Sequence, residues 1–238
     1  MTQIITIAQQ KGGAGKTTVA AHLAVALSQK GRRVAIIDVD PQGSLSAWHA
    51  IREKRFGEGY TGLTFAAVSG WRVGSEISRL KREHDFIIID SPPHTETDAK
   101  TAIRAANLVV IPVQPSPADL WATKSTFDLA EKEKIPALVL LNRVSHNSRL
   151  AQIISKELPK LMKSALGNRV AFAACLLEGR TVTEADPSGI AAGEIKAFTG
   201  EVLAKFKAKE EKESAGKEAK TIAGSPSRTA KTPKKNVA

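Results

Sequence analysis

The sequence predicts a doubly wound α/β fold, with a mostly parallel sheet covered by helices on both faces, and three observations lead there. Short continuous apolar runs recur at residues 4–8, 34–37, 86–89, 108–111 and 137–141, the pattern of strands buried on both faces. A glycine-rich turn follows the first run and leads into Val19, Leu23 and Leu27 at helical spacing. Two later runs end in aspartates, Asp38 and Asp90, at the strand ends where open α/β sheets place ligands.

The first turn reads Gln9-Gln10-Lys11-Gly12-Gly13-Ala14-Gly15-Lys16-Thr17-Thr18. Gly12, Gly13 and Gly15 can take positive φ and let the backbone approach a phosphate closely. Loop N–H groups and the helix N-terminus then supply a positive field for the anion. In the G-x-x-x-x-G-K-[ST] pattern Lys16 reaches the β- and γ-phosphates and the Thr17 hydroxyl binds Mg²⁺. Ala14 and Thr18 complete the expected nucleotide loop. The strict pattern is not met, because Gln10 stands where its first glycine belongs and a second lysine, Lys11, follows.

The run at 34–37 delivers Asp38-Val39-Asp40-Pro41-Gln42-Gly43. Its two carboxylates are either ligand-facing or the solvated acids of an Asp–Pro turn. A helix is expected from Ser44 to Arg55. Glycines 57, 59 and 62 then argue for a loop, with a strand near Leu63-Thr64-Phe65. Trp48, Tyr60 and Trp71 read as core or rim packing rather than as stacking platforms for bases. At 86–90 an apolar strand ends in Asp90, the Walker B layout, in which the aspartate faces Mg²⁺ through water. His94, after Pro92-Pro93, reads as a switch-loop residue, since phosphoryl transfer needs positioning more than a base.

Prolines 112, 115 and 117 stiffen the next connection, and a helix is expected over 118–134. The run at 137–141 ends in Asn142, whose amide carries the donor and acceptor that an adenine edge requires; a turn asparagine is the alternative. Leu150, Ile153, Ile154, Leu158, Leu161 and Met162 form an apolar helical face that Pro159 kinks or splits. Residues 169–174 read as the last strand, and Asp186-Pro187 as a helix start. Ile195, Phe198, Val202 and Phe206 bury a final helix.

The chain has 238 residues, 42% of them hydrophobic, which suits one large domain, residues 1–206, followed by a tail, 207–238. No apolar run approaches the roughly 18 residues of a membrane span, and the start is a strand candidate rather than a signal sequence. Cys175 is the single cysteine, which leaves neither a disulfide pair nor a cysteine metal cluster and makes a reducing cytoplasm the default. The net charge is +11, of which +5 falls in residues 207–238, so the body is basic in its own right and favours a polyanionic partner. The tail lacks large apolar residues and is expected to be disordered. Ser225, Ser227, Thr229 and Thr232 lie in it among prolines and lysines.

The K-G-G-x-G-K-T-T form at Lys11–Thr18 resembles the deviant Walker A motif of the ParA/MinD superfamily. D-x-D-P-Q at 38–42 and D-x-P-P at 90–93 resemble the switch segments of that superfamily, and the P-x-x-P-S-P-x-D-L run at 112–120 resembles its small ParF-like branch. The resemblance covers residues 2–206. It implies a cytoplasmic, nucleoid-associated ATP hydrolase using ATP and Mg²⁺, in which two subunits sandwich two nucleotides. It assigns Lys11 to the partner's nucleotide, so that this lysine has no task within one subunit. Asp40 orients the attacking water, Asp38 helps hold the hydrated metal with Thr17 and Asp90, and Asn142 reads the base. Such an ATPase partitions or positions DNA or another cargo, its ATP-bound homodimer binding nonspecific DNA and a ParB-like or small adaptor stimulating hydrolysis. Candidate DNA contacts are Lys160, Lys163, Arg169, Arg180, Lys196 and Lys205. A membrane-positioning ATPase of the MinD kind and a ligase of the dethiobiotin synthetase kind are the alternatives. The tail's larger aliphatics are only Ile222 and Val237, which argues against stable membrane insertion.

Overall fold

The structure, a computed structural model, describes residues 1–93 and 96–223. The strands are β1 (Gln3–Ile7), β2 (Val34–Asp38), β3 (Thr64–Ala67), β4 (Phe86–Asp90), β5 (Leu108–Val113), β6 (Ala137–Val144) and β7 (Leu161–Gly167). They form one sheet in the order β3-β2-β4-β1-β5-β6-β7, each neighbouring pair parallel. The helices are α1 (Lys16–Ser28), α2 (Ser44–Phe56), α3 (Val73–Leu80), α4 (Glu96–Ala105), α5 (Pro117–Lys132) and α6 (Arg149–Glu157), then the short α7 (Ala171–Ala174) and α8 (Val182–Ala185), and α9 (Ile190–Ala223).

Alternation along the strands sends side chains to both faces. Ile37, Ile87 and Ile89 pack with Val73, Ile77 and Leu80 of α3 in one cluster, and Val109, Ile111 and Val139 with Ile154 in another. Ile36, Ile37, Ile87 and Ile88 are fully buried, each contributing at most about 1.5–3 kcal/mol. This double cover is why the strands read as unbroken apolar runs. The chain leaves β1 toward β2 and later crosses to β5 on β1's other side, so the turn after β1 lies at the sheet's switch point.

Three sequence expectations are corrected. The helical face expected from Leu150 to Met162 stops at Glu157. Leu158 precedes a proline and is extended (φ −82°, ψ 126°), Lys160 turns the chain at φ 48°, and Leu161 and Met162 begin β7. Leu150 and Ile153 are exposed, whereas Ile154 is buried. Residues 169–174, expected as the last strand, hold the alanine-rich α7 instead, and β7 is the edge strand. Finally, α9 begins at Ile190 rather than at Asp186. Of the aromatic trio, Trp48 is buried as expected for packing, whereas Tyr60 and Trp71 are exposed.

The chain divides into a unit of Met1–Glu201 and a second from Val202. Within the second, helix continues to Ala223, so residues 207–223 are helical where composition alone predicts disorder. Lys, Glu and Ala are strong helix formers, and Lys207 and Glu211 pair at i,i+4 (3.9 Å). His94 and the Ser225, Ser227, Thr229 and Thr232 group lie outside the described residues.

Candidate nucleotide and metal site

The loop between β1 and α1 is built around two left-handed glycines, Gly13 (φ 77°) and Gly15 (φ 91°). Its carbonyls are held by amide side chains from distant strand ends. Asn142 Nδ2 donates to the Ala14 carbonyl (2.8 Å) and Gln114 Nε2 to the Gly13 carbonyl (2.6 Å). The N–H groups of the first turn of α1 lack intrahelical acceptors, which makes this end an anion site. A Cβ at Gly15 would lie 2.4 Å from Asn142 Nδ2, so any side chain there must displace the amide that holds the Ala14 carbonyl.

The Lys16 ammonium, which is buried, donates to the Gln9 carbonyl (3.1 Å) and lies 3.5 Å from that of Lys11. Burial lowers its pKa, while Asp90 and Asp40 act against that shift. Removal from water makes its charge available to phosphate at short range.

Asp38 and Asp90 are register partners on adjacent strands. The Thr17 hydroxyl donates to Asp90 Oδ2 (2.7 Å), while Asp90 Oδ1 is buried without a hydrogen-bond partner. Burial, with Asp38 adding to it, raises the Asp90 carboxyl to about 7. An orphaned, desolvated carboxylate oxygen beside a hydroxyl is a place that a hydrated divalent cation completes. The residues therefore fit Mg²⁺, with Thr17 and Asp90 as its holders.

Asp38 is used differently. Its Oδ1 accepts the Asp40 N–H (3.1 Å), and its Oδ2 accepts the Ser46 N–H (2.9 Å) and hydroxyl (2.6 Å). It shapes the loop that carries Asp40. Asp40 itself lines a cleft of about 560 Å³ with Gly13, Gly15, Lys16 and Thr17, a volume suited to a nucleotide-sized ligand.

Other expected residues fall in less direct places. Asn142 is buried, and its Oδ1 accepts the Arg143 N–H (2.9 Å). Both ends of its amide are thus engaged, and the neighbour that lines the cleft is Arg143, left-handed at φ 53°. The Lys11 ammonium pairs with Asp119 inside the same subunit. Of the basic candidates, Arg169 pairs with Glu194 (2.7 Å), Arg180 approaches Glu178 (3.6 Å) and Lys196 donates to the Pro187 carbonyl (2.6 Å). Lys160 and Lys163 are exposed, as is Lys205 in the second unit.

Sequence reasoning missed the support of the loop. Gln9, buried, bonds Thr123 and Thr126 of α5 (3.2 Å each). Asp119 was visible in the P-S-P-x-D run, but nothing in that run names its partner.

A glycine loop at a sheet's switch point, a buried lysine behind it and a strand-end aspartate beside its threonine define a P-loop nucleotide-binding protein. More particularly, the chain belongs to the CobQ/CobB/MinD/ParA nucleotide binding domain family, which matches residues 5–182. It is 27% identical over 210 residues to the maintenance of carboxysome distribution protein A of Halothiobacillus neapolitanus, covering 84% of this chain and 95% of that protein. It is 28% identical over 238 residues to the chromosome-partitioning ATPase Soj of Thermus thermophilus, again covering 84% and 95%. Among solved structures, the septum site-determining protein MinD of Pyrococcus horikoshii OT3, complexed with Mg-ADP, aligns at a TM-score of 0.75 and 24% identity, covering 87% of this chain and 99% of that one. At that identity the likeness is one of fold.

Proposed function

We propose that this protein is an ATP hydrolase that partitions or positions DNA or another cargo. ATP closes a homodimer, the dimer binds nonspecific DNA, and hydrolysis stimulated by a ParB-like or small adaptor releases it. Residues 1–206 form the ATPase and 207–238 a basic extension, in a cytoplasmic, nucleoid-associated protein.

The observation that carries this reading is the unpartnered Asp90 Oδ1 beside Thr17, next to a loop whose Gly13 and Ala14 carbonyls are held by Gln114 and Asn142. When bound, Mg²⁺ supplies charge neutralisation at the β- and γ-phosphate oxygens. The chain does the rest. The loop from Gly12 to Thr18 holds the phosphates, Lys16 neutralises them, and Asp40 orients the water. Asn142 reads the base after exchanging its present bonds, and Lys11 leaves Asp119 for the partner's nucleotide. Asp38 acts on the hydrated metal through its charge.

Relatives named for carboxysome distribution and chromosome partitioning support a cargo-distributing role. The body's +6 charge favours DNA over a small-molecule ligase reaction. Among the described residues no helix is long and apolar enough to cross a membrane, and the fold likeness to MinD leaves surface attachment as the second reading. Lys160, Lys163 and Lys205 lead the DNA contacts, while Arg169, Arg180 and Lys196 must first exchange the partners they have.

The test is retention on nonspecific duplex with ADP and with ATP across a salt series. Retention should require ATP and fall with salt at a slope of about −0.9 per phosphate contact. Retention that is the same with either nucleotide sinks the carrier reading. Binding to anionic vesicles in preference to duplex would install the membrane reading instead.

A further inference from the structure

Arg52 is a buried charge that the phosphate chemistry does not use. It lies in the third turn of α2 and is 5% exposed. Its Nε donates to the Thr61 carbonyl (2.8 Å), Nη1 to the Gly179 carbonyl and Glu184 Oε2 (2.9 Å each), and Nη2 to Glu184 Oε1 (2.7 Å). The guanidinium sits 5.5 and 4.6 Å from the ring centroids of Trp48 and Phe56. Glu184 is itself held, its Oε2 accepting the Thr181 N–H (2.8 Å) and hydroxyl (3.1 Å). Beside the pair, Trp48 Nε1 donates to the Arg180 carbonyl (3.3 Å). Gly179, at φ 67°, approaches so closely that a Cβ would stand 2.6 Å from Arg52 Cα. The two backbones are pressed together.

The other end of α2 is tied to the chemistry. Asp38 accepts from Ser46, and the Gly43 N–H donates to the Asp40 carbonyl (2.9 Å). Between these ends, Ala47, Trp48 and Ile51 form the cleft wall that faces Lys16 and Asp40.

We propose that the Arg52–Glu184 pair positions the catalytic loop: it clamps α2 against residues 179–184 and so fixes where Asp40 stands over the phosphates. This rests on the ATPase reading above. A helix is a stiff rod, so displacement at its third turn moves its first. Buried ion pairs are a poor source of stability, since desolvation offsets most of the attraction and apolar replacements often serve as well. What a guanidinium fork on a carboxylate adds is a single orientation.

The deciding variant is Arg52→Met with Glu184→Gln, which removes the ion pair while leaving Thr181 an acceptor. Arg52→Lys, which keeps the charge and loses the fork, is the second variant, and it carries the same readouts if the double variant does not melt cooperatively. Two quantities are measured: kcat and KM for Mg-ATP, and amide hydrogen exchange at residues 40–47 without nucleotide. We expect kcat to fall about tenfold with KM changed by less than about twofold, and exchange at 40–47 to rise about tenfold with β1 and β4 unaffected. Unchanged exchange at 40–47 overturns the proposal whatever the turnover, and so does wild-type kcat with raised exchange. If the wild-type chain turns over no ATP, the ATPase reading falls, and the exchange comparison alone still decides whether the clamp holds the loop.

Discussion

The Lys11 ammonium is held by the Asp119 carboxylate, across 108 residues of sequence. Asp119 is fully buried, and it also bonds the Ser116 hydroxyl and accepts the Gln114 N–H (3.4 Å). The lysine that the resemblance assigns to a partner's nucleotide therefore has a position at home, and the proposed dimer would have to break this pair on closing.

Lys11→Ala should abolish the ATP-dependent dimer. Asp119→Asn should tighten it, because it removes the buried carboxylate that competes for the Lys11 ammonium. Light scattering after size exclusion with ATP reads both. An undiminished dimer in Lys11→Ala removes the cross-subunit role.

Gly15→Ala should lose nucleotide binding and stability together. Its Cβ meets Asn142 Nδ2 at 2.4 Å, on top of a left-handed φ that costs about 1–2 kcal/mol. Gly13→Ala has the same backbone strain with nothing within 4 Å, so it should melt higher than Gly15→Ala. Lys16→Ala should keep its fold and lose the nucleotide. Thermal melts and titration with a fluorescent ATP analogue check all three, and equal melts for the two glycine variants would remove the steric argument.

Asp40→Ala should bind ATP and dimerise, yet hydrolyse about a hundredfold more slowly, as when a water-positioning group is lost. Phosphate release measured beside nucleotide binding separates the two effects. Normal turnover would move the role to another residue.

Acid should weaken the fold through His22. It is fully buried; its Nδ1 lies 2.8 Å from the Thr18 carbonyl and its Nε2 3.6 Å from Cys175 Sγ. Burial lowers its pKa to about 4, below the unfolded value near 6.5. Between those values the unfolded chain binds a proton that the native one refuses, so stability falls as pH falls, by up to about 1.4 kcal/mol per pH unit. Asp90, raised to about 7 from an unfolded value near 3.9, contributes with the opposite sign across the whole of this range. The difference between wild type and His22→Gln is therefore the quantity to measure, by urea melts from pH 7 to pH 4. Parallel pH profiles for the two would exclude His22 as the source.

What the sequence by itself determined is local and periodic. Apolar runs mark five of the seven strands and the stretch after glycines 57, 59 and 62 a sixth; at the seventh, Leu161 and Met162 fall at helical spacing because one alternating edge strand after a proline carries too few residues to reveal its period. The glycines of 12–15, Lys16, Thr17 and the strand-end aspartates were legible because phosphate binding needs them at fixed spacing within one turn or at one strand end. Tertiary structure decided what those groups touch. That Thr17 bonds Asp90, that Asn142 and Gln114 hold the loop's carbonyls, that Asp119 receives Lys11, and that Arg52 finds Glu184 are all pairings across 73 to 132 residues. Partner choice at that range is set by how helices pack on the sheet, and neither spacing nor composition encodes it.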